Sequence, residues 1–133
     1  MEAAAGAPPP TREGSLDLPL SAASSRLARE FVVSVTELPE DARMALVVTE
    51  LVSNAVIHAG SRPHLTVAFD GDAVVVEVAD DGPGRPVLQS VGSVETSGRG
   101  LALVDQMAES WGVEARPEGI GKVVWARVVL GSA

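Results

Sequence analysis

Hydrophobic spacing along the chain predicts a strand, two helices, two strands, a long polar stretch, a third helix and two closing strands. In "AASSRLAREFVVSVTEL" Leu27, Phe31, Val35 and Leu38 recur at intervals of four, four and three, the spacing of one apolar helix face. Ser21 precedes that segment as a candidate N-cap. Pro39 interrupts the pattern and suits the first position of a second helix, with Glu40 and Asp41 near the positive end of its dipole. That helix is expected to reach about Ala59 and to stop at Gly60. "HLTVAFD" alternates and "AVVVEVAD" is nearly all apolar; Asp70-Gly71-Asp72 between them is a hairpin signal. "LALVDQMAES" reads as a short helix opened by Gly98-Arg99-Gly100, and "WGVEAR" and "KVVWARVVL" as strands joined by "PEGIG". Near the start, "SLDLPL" (Ser15 to Leu20) suits an edge strand, since Pro19 cannot donate to a ladder.

Residues 1–14 are rich in Ala, Pro and Gly without periodicity and are expected to be a disordered tail, leaving 15–131 as one domain. Strands joined by tight turns imply an α+β fold, a two-layer sandwich with a mostly antiparallel sheet and helices on one face. No internal repeat or heptad pattern is present.

Composition narrows the picture. The 133 residues suffice for one sizeable core, and with 46% hydrophobic but only 3% aromatic residues that core must be mainly Val, Leu and Ala. The absence of cysteine excludes disulfides and thiolate metal sites. A net charge of −8 repels a phosphate backbone, so no nucleic-acid partner is expected. "MEAAAGAPPP" lacks the basic start of a signal peptide, and no apolar run nears the ~20 residues of a membrane span. The expectation is a soluble, cytoplasmic protein with no membrane partner.

Three polar islands interrupt this apolar chain. Glu50 and Asn54 stand four residues apart in "ELVSNAVIHAG", nearly one above the other on the second helix, and Ser53 and His58 extend the strip. A solvated helix face usually mixes charges, yet this strip carries no Lys or Arg. In "VEVADDGPGRP" a strand delivers Asp80 and Asp81 at its end and breaks into Gly82-Pro83-Gly84. Either this is an ordinary turn, or glycines let a ligand lie against the backbone beside a carboxylate. In "TSGRGLALV" glycines open a helix whose first N–H groups have no internal partner, a setting that attracts phosphate. Neither a G-x-x-x-x-G-K-[ST] loop nor a strand-borne G-x-G-x-x-G is present, so P-loop and Rossmann readings fail.

The order of the islands, E-x-x-x-N, then D-x-G-x-G, then G-x-G-L, resembles the GHKL superfamily with its Bergerat ATP-binding fold, over roughly Leu16 to Leu130. The resemblance implies a mixed, mostly antiparallel sheet, and ATP and Mg²⁺ as cofactors. It implies Asn54 as the Mg²⁺ ligand and Glu50 as the catalytic base or water-positioning group. It gives Asp80 the adenine amino group, Gly82 and Gly84 the first glycine box, and Gly98, Arg99, Gly100 and Leu101 the phosphate-facing second box. Arg85 to Ser97 would be the ATP lid. His58 fits a histidine common after this E-x-x-x-N motif, the N-box, with no reaction role assigned by its spacing. "TELVSNAVIHA", "GRGLALVDQMAESWGV" and "GKVVWARV" look most like the single-domain bacterial anti-sigma-factor serine/threonine kinases. That likeness implies a sigma factor and a STAS-type anti-anti-sigma protein as partners, and a possible homodimer. Where many relatives carry a threonine that supports adenine binding, this chain has Val123, which implies weaker ATP binding. No helix pair bearing a phosphoacceptor histidine is expected beside this domain. The alternatives to a kinase are a non-catalytic, ATP-gated partner-binding module and an α+β domain without nucleotide.

Overall fold

The computed structural model describes residues 12–81, 98–116 and 121–130. The elements are β1 (Arg12–Asp17), α1 (Ser24–Thr36), α2 (Ala42–Ser53), a π-helical turn (Asn54–Ala59), β2 (His64–Phe69), β3 (Ala73–Asp80), α3 (Gly98–Met107), β4 (Ser110–Ala115) and β5 (Lys122–Val129). The α+β order expected from hydrophobic spacing is the order found.

Boundaries differ where local chemistry outweighs periodicity. β1 starts at Arg12, inside the stretch expected to be tail, and ends at Asp17, short of Leu20. Its register places Gly14 opposite Val67 and Leu16 opposite Leu65, and Leu18 then leaves the ladder to be buried. A Cβ on Gly14 would lie 3.1 Å from the Phe31 ring and 3.2 Å from a Val35 methyl, so glycine lets α1 press onto the strand. Ser21 is not the N-cap of α1. Its hydroxyl oxygen accepts from the Ala23 N–H at 3.0 Å, two residues ahead of the helix. The deepest stripe of α1 is Ser24, Ala28, Val32 and Thr36, one position round from the expected face. Leu27, Phe31 and Val35 flank it, partly buried on the core, while Leu38 lies beyond the helix end and is exposed.

Pro39 and Glu40 precede α2 instead of opening it. Asp41 is the cap: it is extended, and its carboxylate accepts the Met44 N–H at 2.9 Å. Gly60, in the left-handed region at φ 63°, closes the segment as expected.

The sheet order is β1-β2-β3-β5-β4, and every neighbouring pair among the described residues is antiparallel. The mixed sheet that the resemblance implied is absent from these pairings because β5 lies between β3 and β4. β3 and β4 run in the same direction but never share a ladder. Alternate residues of β2, β3 and β5 (Leu65, Val67, Val74, Val76, Val124, Val128) form the floor of the core. Val47, Val48, Leu51 and Val52 of α2 and Val104 of α3 cover it. On the other face Trp125 stands opposite Gly112, where a Cβ would lie 2.9 Å from the indole nitrogen. No described helix is long and apolar enough to cross a membrane.

Asp41→Ala removes the acceptor at the start of the central helix. Urea unfolding should show a loss of about 1 kcal/mol with an unchanged m-value. An unchanged midpoint would mean that the cap contributes nothing.

Candidate functional site

α2 is buried along Met44, Val47, Val48, Leu51 and Val52, which leaves Glu50 and Asn54 on a half-buried flank. Burial raises the Glu50 carboxyl above its ordinary value of 4.5, because the charged form loses hydration. Asn54 ends the α-helix and begins the π-helical turn, its N–H shared between the Glu50 and Leu51 carbonyls. Such widened turns recur at functional positions. Ser53 departs from the strip: its hydroxyl meets that of Ser25 on α1 at 3.3 Å. His58 lies in the π-helical turn, and its side chain lies outside what the structure describes.

The chain then leaves Gly60 and is tied to the end of β3. The Asp81 N–H donates to the Ser61 hydroxyl oxygen at 3.0 Å. Asp80 closes β3 on the helix-covered face, its side chain 1% exposed. Lys122, directly opposite on β5, places its Nζ 3.0 Å from one Asp80 oxygen and 2.8 Å from the other. Beside this pair, Arg116 meets the Asp81 carboxylate at 2.6 Å and donates to the Asp80 carbonyl at 3.4 Å. Gly121 makes the approach possible. At φ +89° it adopts a conformation that favours glycine, and a Cβ there would sit 2.0 Å from the Asp80 carbonyl oxygen.

Gly98, Arg99 and Gly100 form the first turn of α3, which Leu101 (4% exposed) and Val104 anchor in the core. The first N–H groups of a helix have no partner within it, and such a turn is a setting for phosphate. Gly82, Gly84 and the segment 85–97 lie outside the described residues.

The fold therefore brings the first and second islands together and sets the third beside them. The π-helical turn packs against β3, α2 packs against α3, and the Ser61 bond joins the first island to the second. A family model, the histidine kinase-like ATPase domain, matches residues 18–128. The chain belongs to this family. Among curated proteins none matches it.

The groups this ATPase domain gathers are of the chemical types a nucleotide takes, with both oxygens of Asp80 held by Lys122. Asn54 offers a neutral oxygen of the hard kind Mg²⁺ takes, Asp80 a carboxylate for a base, and the start of α3 amides for phosphate. Among the described residues no three Asp, Glu or His side chains converge.

Val123 does not adjoin the Asp80 carboxylate. Val123 pairs with Ala79 on the uncovered face, so its side chain points away from the Asp80 carboxylate. The hydroxyl it lacks would not have touched that carboxylate. The residue that does is Lys122, the only lysine in the chain. Ser61 carried no sequence signal. An apolar groove between α1 and the start of α2, lined by Val33, Thr36, Ala45 and Leu130, includes none of the motif residues.

Because the native carboxyl of Glu50 holds its proton to higher pH than the unfolded chain does, stability falls as pH rises from about 4.5 through the raised value. Glu50→Gln removes that loss. Its stability relative to the parent should match at low pH, climb with pH above 4.5 and then level off; a difference independent of pH would contradict the assignment.

Proposed function

We propose that this ATPase domain is a serine/threonine protein kinase that regulates a sigma factor by phosphorylating a STAS-type anti-anti-sigma partner. The observation that carries this reading is Glu50, a carboxyl of raised proton affinity one helical turn before Asn54. A base works best when its proton affinity approaches that of its medium, and burial moves Glu50 in that direction. In this reading ATP supplies the phosphoryl group, and Asn54 holds the cation that offsets phosphate charge. Glu50 accepts the proton of the attacking hydroxyl, and the amides of the Gly98–Gly100 turn neutralise the phosphates. The sigma factor and the STAS protein are the partners this reading requires, and a homodimer is compatible with it.

A second reading is favoured by one observation. Asp80 is closed from solvent and both its oxygens are taken by Lys122. A site closed in this way suits a module that grips its partner only after nucleotide has rearranged it.

Calorimetry with Mg·ATP and transfer of labelled phosphate to STAS proteins from the same genome separate the two. The kinase reading predicts binding by the parent and at least tenfold weaker binding by Asn54→Ala. It also predicts that Glu50→Gln keeps ATP affinity within about threefold while transfer falls about 10²–10⁴-fold, the usual range for a general base. ATP binding without transfer to any STAS protein would leave the binding module; no heat from the parent would refute both.

A further inference from the structure

Among the described residues β4 has a strand neighbour on one side only, β5. The Arg116 N–H bonds to the Gly121 carbonyl. Alternation along the ladder from that bond turns the N–H and C=O groups of Trp111, Val113 and Ala115 to the outer side. The opposite edge of the sheet, β1, is guarded by charge: Arg12 is paired with Glu37, and Asp17 with His64. β4 carries one charged residue, Glu114, and its Val113 is 38% exposed. On the face that no described helix covers, β4 is bare at Gly112. A Cβ there would stand 2.9 to 3.0 Å from three atoms of the half-buried Trp125 indole, so the ring lies across β4. Glu114 stands two residues on, on the same face, and Glu77 lies directly opposite Trp125 on its other side. Both carboxylates are exposed, and neither meets a cation among the described residues.

We propose that the outer edge of β4 is a docking surface for an extended, basic segment of a partner protein, which adds a strand there and sets an arginine or lysine beside the Trp125 indole. Main-chain hydrogen bonds to Trp111, Val113 and Ala115 supply the attachment, and side chains select the segment. The residue opposite Gly112 puts its side chain on the uncovered face, since facing residues of a ladder share a face. Gly112 places no side chain in the way, so that group reaches the indole, whose π face attracts a cation. Glu114 and Glu77 add negative charge beside it, within a chain of net charge −8. Alternate residues of the segment fall beside Val113 on the opposite side of the sheet, where an apolar side chain removes its exposed surface from water. The favoured occupant therefore alternates basic and apolar residues. A second copy of this strand does not fit that description, because Ser110–Ala115 has neither lysine nor arginine. Gly112, Glu114 and Trp125 lie outside the three polar islands, so the proposal stands or falls separately from nucleotide binding.

The test titrates the full chain with the synthetic peptide Arg-Val-Arg-Val-Arg-Val, and with a copy in which glutamate replaces each arginine, and follows amide and indole ¹H–¹⁵N resonances. The basic peptide should move the Trp111, Val113 and Ala115 amides and the Trp125 indole N–H, and the acidic one should leave them in place. Glu114→Lys, a change at an exposed side chain, should weaken the basic peptide about tenfold. Trp125→Leu should weaken it about threefold. Val113→Pro should abolish binding and keep the β4–β5 ladder, because the N–H it removes faces outward. Each variant is checked for folding by circular dichroism; if Val113→Pro or Trp125→Leu does not fold, Glu114→Lys decides alone. Shifts centred elsewhere, such as Asp70 and Asp72, with parental affinity in Glu114→Lys, would reflect attraction to the net charge alone and overturn the proposal. Equal shifts with both peptides, or none at β4 with millimolar basic peptide, also overturn it. So does a dimer of the parent in sedimentation that Glu114→Lys or Val113→Pro dissociates, which would assign the edge to a second copy.

Discussion

The candidate site depends on the pairing of β3 with β5, and on the ion pair at the end of that ladder. β3 is a run of valines whose inward residues are almost fully buried, and it ends by carrying a carboxylate into the same buried layer. Such a charge needs a partner, because a buried carboxylate loses hydration that apolar neighbours cannot replace. Lys122 supplies one from the neighbouring strand β5, and Gly121 lets that strand come close enough. Breaking a pair of this kind by removing one member typically costs about 3–5 kcal/mol, while the intact pair adds little net stability. The pair therefore matters more for what it holds in place than for what it contributes to folding.

The second constraint is the double role of α2. One side of it is the centre of the core, and its flank carries Glu50 and Asn54. The α-helix changes to a π-helical turn at Asn54, then Gly60 reverses the chain and Ser61 fastens it to Asp81. The position of the N-box relative to the Asp80 strand thus follows from backbone geometry and one side-chain bond. Burial sufficient to raise the proton affinity of Glu50 is a consequence of packing the same helix against the sheet.

Much of this was legible in the sequence, for identifiable reasons. The strands β3 and β5 and the hairpin at Asp70–Asp72 showed themselves through continuous apolar runs and turn chemistry, both local signals. The α+β class followed from element order, and the spacing of the three islands carried the family. What was not legible depended on pairing between distant residues. The one-position rotation of α1 came from its docking, with Ala28 and Val32 deepest, and the start of β1 at Arg12 came from register with β2. Lys122 was hidden for the same reason. Only the ladder shows that position 122, not Val123, shares a face with Asp80.

The proposed nucleotide site lies where the π-helical turn, the end of β3 and the start of α3 meet. Amide ¹H–¹⁵N spectra recorded with and without saturating Mg·ATP test this directly. The largest changes should fall on Asn54, Ser61, Asp80, Gly100 and Lys122. Changes confined to the groove between α1 and α2, around Val33, Ala45 and Leu130, would contradict it.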